Sequence, residues 1–340
     1  MHAKPKRVCA VISLVMACWA ATGFWFDTNR AIASKWSHQK LSIAAMPFSF
    51  TGYAIFIALE RGDFKAVGLD VKIKLNYTNG METMKAILHG EADIALSSET
   101  PFINTILNGG QIEAIATTIT ARGHLGVVAR KDRGIQMPMD LKGKNIGVTM
   151  GSNGEYFLDL VLLLNSIPET AVHRVDIKPQ DMADTLLAGD VDAVATWNPQ
   201  KHMVYKKLGD RGVLFTAKGI YKPFFIAAAT KAFIHRHPQV IEKFIRALYN
   251  ASQFIIANPR SSRAIVSRYL KIDSRVLEEL GATYLFNVTL EQSLVLEFEN
   301  QTHWSIRSKK TVPKRMPNYL DFIYIDALKK VAPQNMTIIK

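Results

Sequence analysis

Cysteine is nearly missing from this chain: only Cys9 and Cys18 occur among its 340 residues, and both fall in an N-terminal stretch laid out like an export signal. Past that stretch no thiol remains, which excludes disulfides, thiolate metal sites and a cysteine nucleophile. Also missing are a Gly-rich phosphate loop followed by Lys, a nucleophile elbow, a zinc-helix motif and a dinucleotide fingerprint. The nine histidines show no metal-ligand spacing; His235 and His237 flank a helix start at Pro238 and read as surface or capping residues. No catalytic residue, metal or cofactor is expected. These absences favour binding without chemistry.

Acidic residues are also in short supply. Forty-two Lys/Arg face 29 Asp/Glu, a formal net charge of +13. The basic residues are dispersed, and the one dense cluster, Arg307 to Arg315, has no aromatic ladder beside it, so nucleic acid is not an expected partner. The balance suits small anions or an anionic membrane surface, or serves solubility alone.

What the N-terminus does hold is Lys4, Lys6 and Arg7 followed by an uncharged run of 19 residues, Val8 to Phe26. Three fates fit: cleavage after Ala31-Ile32-Ala33, lipidation at Cys18, or retention as an anchor, since the run is about long enough to span a bilayer. Met16 stands where a lipidation site usually has a small residue, so cleavage after Ala33 is the preferred reading. It removes four basic residues and one acidic one, leaving a formal charge of +10. Each fate places the remainder outside the cytoplasm, in the periplasm or its equivalent.

The rest of the chain alternates short apolar strands with helices. A strand at Leu41 to Met46 leads through the loop 47–52 to a helix at Tyr53 to Arg61. A strand at Asp70 to Asn76 leads to a helix at Met81 to His89, and then to a strand at Asp93 to Leu96. This alternation predicts mostly parallel sheets flanked by helices. The opening is then repeated: Lys144 to Met150, the loop Gly151-Ser152-Asn153-Gly154, and a helix at Glu155 to Asn165. Ser49 and Ser152 hold equivalent loop positions 103 residues apart. Ile87 to Ala95 is echoed 99 residues later by Leu186 to Val194, each ending a helix at Gly and starting a strand at Asp. Two lobes of one design follow. The last stretch, from Phe224, is mostly helical and lacks the strands for a third sheet. It is expected to cover the lobes, with crossings near Thr120 to Val128 and Gly219 to Phe225. We therefore expect an α/β protein with residues 38–122 and 226–340 in the first lobe, 123–225 in the second, and two hinge crossovers.

Open parallel sheets bind ligands in the loops after their strands. The candidates in the first lobe are Ser49, Phe50 and Thr51, then Ser97, Ser98 and Glu99. In the second they are Ser152 and Asn153, then Trp197 and Asn198. Gly151 to Gly154 feeds a helix N-terminus, whose free N–H groups and dipole favour an anion, although Ser152 or Asn153 also suits plain capping. Trp197 is placed to form one wall of a cleft. Glu99 would repel an anion, so it is expected to point outward, or else to meet an amine on the ligand. Arg122, beside the first crossover, is either a countercharge or a solvated residue.

Together these features resemble the nitrate/sulfonate/taurine branch of ABC-importer substrate-binding proteins, a group that includes thiamine-precursor binders. The carriers are Ala58 to Phe64 with Gly68-Leu69-Asp70-Val71, Gly90 to Ala95, Asp140-Leu141-Lys142-Gly143-Lys144, and Gly189 to Ala193 ending at Trp197. Trp304-Ser305-Ile306, Val312-Pro313 and Pro317 to Tyr324 continue the likeness. The resemblance implies a two-lobe periplasmic-binding-protein fold crossed by two hinge segments. It also implies a monomer that delivers an interlobe ligand to a permease and ATPase, through Ser49, Phe50, Ser97, Ser98, Ser152, Asn153 and Trp197. An organic sulfonate is the favoured ligand. The rivals are a thiamine-pyrimidine binder or a pyrimidine-phosphate synthase of the same fold, and a membrane-tethered sensor.

Overall fold

The computed structural model describes residues 38–47, 49–217, 219–308 and 316–339. The N-terminal segment with both cysteines, expected from sequence to act in export, Phe48, Val312-Pro313 and most of the Arg307–Arg315 cluster lie outside the described residues. Among the described residues no helix is long and apolar enough to cross a membrane.

In chain order the strands are β1 (Gln39–Ala44), β2 (Leu69–Lys74), β3 (Ile94–Ser98), β4 (Ile112–Ala121), β5 (Leu125–Arg130), β6 (Asn145–Val148), β7 (His173–Asp176), β8 (Ala193–Trp197), β9 (Gly212–Phe215), β10 (Phe224–Thr230) and β11 (Tyr284–Leu285). They form a six-stranded sheet, β11-β4-β10-β3-β1-β2, and a five-stranded sheet, β7-β6-β8-β5-β9. Both sheets are more mixed than the alternation predicts. β1 pairs with β3, and β6 with β7 and β8, in parallel, whereas β4, β10, β5 and β9 pair antiparallel. The antiparallel strands flank the passages between sheets: β4 leads directly into β5, and β9 into β10. A chain entering a sheet from the neighbouring one runs against the strands already there.

The helices that matter for the site are α1 (Tyr53–Arg61), α2 (Gly80–Leu88), α3 (Glu99–Leu107), α4 (Asn153–Leu164), α5 (Met182–Ala188), α6 (Gln200–Leu208), α7 (Pro238–Ala257), α8 (Pro259–Leu270), α9 (Ser274–Gly281) and α10 (Gln292–Arg307). Their boundaries follow local chemistry. Asn79 caps α2 by accepting from the Glu82 N–H at 3.1 Å, while the Glu82 carboxylate takes the Thr78 N–H at 2.6 Å. α5 stops at Gly189, whose φ of 89° an L side chain rarely adopts.

The sequence repeat has a structural cause. Asp93, just before β3, accepts from the Ser42 N–H and hydroxyl, both at 2.7 Å, and so pins β1. Asp192, before β8, accepts from the Asn145 N–H at 2.9 Å and pins β6. In each lobe a carboxylate fixes the register of the central parallel pair.

The first core is closed by the stripe on α7, where Phe244, Ile245 and Leu248 are fully buried, each worth about 1.5–3 kcal/mol of apolar transfer. α10 touches both cores. Phe298 packs on Phe102 of α3 with ring centroids 5.1 Å apart, whereas Trp304 joins the second core and donates from Nε1 to Asp159 of α4 at 2.7 Å. One C-terminal helix thus straps the two sheets together.

Candidate ligand-binding cleft

Where the carboxyl ends of β1 and β3 meet the start of α4 and the end of β8 there is a small, partly open cavity of about 20 Å³, room for about one water molecule. The first lobe supplies Met46, Ser49, Thr51, Gly80, Ser98 and Pro101. Phe225 is added by β10 of the same sheet, Ser152, Asn153 and Trp197 come from the second lobe, and His124 comes from the first passage between them. None of these described lining residues is a carboxylate.

Ser49 caps the turn before α1: its Oγ accepts from the Thr51 N–H at 3.3 Å and hydroxyl at 3.2 Å. Ser152 does the same for α4, accepting from the Gly154 N–H at 3.1 Å and donating to the Thr149 carbonyl at 2.6 Å. The Gly151 N–H is taken by Glu155 at 2.8 Å. The capping role is therefore fully used at Ser152, and the loop does not present a ring of free N–H groups. The Ser98 hydroxyl and the Asn153 side-chain amide, by contrast, bond to no described residue. Both line the cavity, one from each lobe, as available polar groups.

Four expected contacts go elsewhere. Phe50 turns out of the cavity and packs on Tyr284 with centroids 4.6 Å apart. Ser97 is fully buried against Gly80, following strand alternation from Ser98. Asn198 is buried and does not line the cavity.

Glu99 requires a correction of direction: it points inward, fully buried, and away from the cavity. Its carboxyl accepts from the Tyr221 hydroxyl, the Gln301 side-chain amide at 3.1 Å and the Phe224 N–H at 3.2 Å. Burial, reinforced by the nearby Glu297, pushes its pKa up to about 8. Half-buried Glu297 on α10 is pushed up to about 7 by desolvation. The three donors explain why a carboxyl is tolerated here, and they leave it no role toward an amine in the cleft. Arg122 is exposed and absent from the lining.

Sequence reasoning missed His124 and Lys201. His124 is buried in the first passage, and its Nδ1 lies 2.8 Å from the Tyr284 hydroxyl. Burial first, and the Lys201 charge second, hold its pKa well below the usual histidine value. Lys201, in the first turn of α6, is buried and donates to the Gly123 carbonyl. Burial brings its pKa down to about 8. Among the described residues it pairs with no carboxylate. One signal was available in the sequence, since Gly123-His124 sits in a crossover already identified. Nothing local marked Lys201 as buried among the lysines of α6.

The arrangement can hold a small solute among four hydroxyls, an amide, an imidazole and an indole, with Lys201 buried beside the first passage. Comparison with known proteins agrees in outline. A Brucella abortus protein named only as a binding protein is 26% identical over 228 residues, covering 65% of this chain and 69% of that one. A Bacillus subtilis protein named for binding aliphatic sulfonates is 24% identical over 262 residues, covering 75% and 78%. Among solved structures, the periplasmic aliphatic sulphonate binding protein SsuA of Escherichia coli superposes with a TM-score of 0.71 at 13% identity, over 85% of this chain and 98% of that one. That likeness establishes the two-lobe periplasmic-binding-protein fold. The profile of the family described as NMT1/THI5 like matches residues 49–262, most of the described protein, and the chain belongs to that family.

Proposed function

We propose that this protein is the extracytoplasmic solute-binding component of an ABC importer, capturing a small anion of the aliphatic sulfonate, taurine or nitrate kind between its lobes. The observation that carries the reading is the composition of the cleft. Hydroxyl and amide groups from both lobes meet there with no carboxylate among the described lining residues, and Lys201, buried beside the first passage, pairs with no carboxylate among the described residues. A buried cation is costly unless paired, and an anion in the cleft supplies the missing charge. Glu99 does not oppose it, because a carboxyl with a pKa of about 8 is mostly neutral at neutral pH.

In this reading the lobes part about the passages 122–124 and 216–223, since the present cavity is too small for an organic solute. The ligand contacts both lobes only when they close, and this differential contact shifts the population toward the closed form that docks on the permease. The sulfonate-binding relative and the sulphonate-binding neighbour support the ligand class. The chain performs no chemistry on its ligand and works as a monomer. Its N-terminal segment directs it across the membrane.

A second reading, a thiamine-pyrimidine ligand, is favoured by one feature: the Trp197 wall offers a flat ring a stacking partner. Calorimetry and small-angle scattering with alkanesulfonates, taurine, nitrate and pyrimidines distinguish the two. Saturable binding of an anion with compaction is expected. Binding confined to pyrimidines selects the second reading, and no binding across a broad panel refutes solute capture.

A further inference from the structure

A larger cavity lies in the first lobe, lined by other residues than the cleft. It measures about 570 Å³, within the range of small-molecule sites. It opens between the first turn of α1, the end of α7, α8, the end of α9 and the segment around β11. Four aromatic rings form its back. Phe50 lies 4.6 Å from Tyr284 between centroids, Tyr53 lies 4.2 Å from Phe286, and Tyr284 lies 6.1 Å from Phe286. Ile256 and Leu285, both more than half exposed, stand at its mouth.

Two polar groups interrupt this apolar surface. Arg263 lines the cavity and pairs with Glu278 at 3.2 Å, and the Glu278 side chain is 67% exposed. A pair with so exposed a partner is worth little, so the guanidinium can exchange that carboxylate for another acid. The second group is the Tyr53 hydroxyl. Tyr53 is 4% exposed, yet it makes no hydrogen bond to any described residue. Arg263 is close enough for its charge to oppose the burial that raises the Tyr53 pKa. A phenol hydroxyl with no partner among the described residues, beside a guanidinium, forms a ready two-point donor set for an anion.

We propose that this cavity is a second ligand site, separate from the cleft, that takes an amphipathic organic anion. Its aromatic or branched aliphatic body lies among Phe50, Tyr53, Tyr284 and Phe286, and its carboxylate or sulfonate sits on Arg263 and the Tyr53 hydroxyl. A neutral apolar molecule would leave both donors unmet, and a cation would face Arg263. The two sites share a wall: Phe50 follows the cleft residue Ser49, and Tyr284 holds the cleft residue His124.

The test is fluorescence or calorimetric titration of the purified protein with naphthalene-1-carboxylate and, in parallel, its uncharged carboxamide. The carboxylate is expected to bind at least about tenfold more tightly than the carboxamide, and Arg263→Gln to remove about that factor. Glu278→Gln, which releases the guanidinium, should tighten binding. Gly281 lines the cavity, and a Cβ there meets no atom within 4 Å, so Gly281→Trp should fold, fill the space and abolish binding. Trp197→Ala in the cleft should leave the affinity unchanged within about twofold. Absence of saturable binding, equal affinity for acid and amide, or binding lost in Trp197→Ala but kept in Gly281→Trp would each overturn the proposal. None of these outcomes depends on which solute the cleft holds.

Discussion

Ser98 and Glu99 are neighbours in the chain, yet they open onto two interiors of opposite character. Ser98 faces the cleft, where hydroxyls, an amide and an imidazole gather with no carboxylate among the described lining residues. Glu99 faces the strap, where its carboxyl meets Tyr221 and Gln301 with Glu297 close by. Charge is sorted by side: Lys201 is buried beside the first passage, near enough to His124 to lower its pKa, and the acids lie away from the lining, where burial raises their pKa values to about 8 and about 7. The contrast shows that the cleft is kept free of acidic charge by turning carboxylates away from it.

The largest expected effect tests the acidic side. Glu99→Ala leaves the Tyr221 hydroxyl, the Gln301 amide and the Phe224 N–H without a partner, and should cost about 2–4 kcal/mol in denaturant unfolding. Glu99→Gln keeps most acceptor capacity and should cost less than half as much.

The same carboxyls set a pH dependence. The folded pKa values of Glu99 and Glu297, about 8 and about 7, stand above the usual carboxyl value of 4.5. The native state therefore holds protons that the unfolded chain releases. Their contribution is fully present below about pH 4.5 and is lost as pH rises through 7 to 8. Thermal scans across this window should show the melting temperature falling by roughly 5–10 °C. In Glu99→Gln the fall should shrink markedly; an unchanged slope would place the titration elsewhere.

On the basic side, Lys201→Met should weaken binding of an anionic ligand by roughly tenfold while leaving stability equal or slightly higher, because a desolvated cation is removed. In the wild type, affinity for the anion should decline above about pH 8 as Lys201 loses its proton. A pyrimidine ligand would show neither effect.

The smallest effect is expected at Ser152→Ala, which removes the α4 cap and should cost about 1 kcal/mol. Affinity should fall little, since that hydroxyl is already engaged with Thr149 and Gly154. A loss of ligand affinity exceeding tenfold would mean that the hydroxyl turns to the ligand on closure.

Much of the architecture was legible because it is written in local chemistry. The glycine-ended helices and the Asp starts at Asp93 and Asp192 revealed the repeat before any geometry, since each Asp has one job within its own lobe. The helix from Pro238 to Ala257 was readable from its stripe and its Asn258-Pro259 stop. Ser49, Ser98, Ser152, Asn153 and Trp197 were found by the rule that ligands sit after strands, and all five line the cavity. What stayed hidden depends on contacts between distant segments. Glu99 is turned inward by Tyr221 and Gln301, 122 and 202 positions away. Lys201 is buried only because α6 packs beneath the first passage, and Phe50 leaves the cleft because Tyr284 supplies a ring for it. The antiparallel strands arise from the same long-range path, which alternation of elements does not encode.

The sharpest test of an anion held in the cleft is Asn153→Asp. The substitution is nearly isosteric and sets a carboxylate in the lining that Asn153 shares with Ser98. If the ligand is an anion bound there, calorimetric affinity should drop by at least about a hundredfold from like-charge repulsion in a poorly solvated site, with part of the loss recovered at a pH low enough to protonate the new acid. Retention of the wild-type affinity in a folded Asn153→Asp protein would contradict the claim.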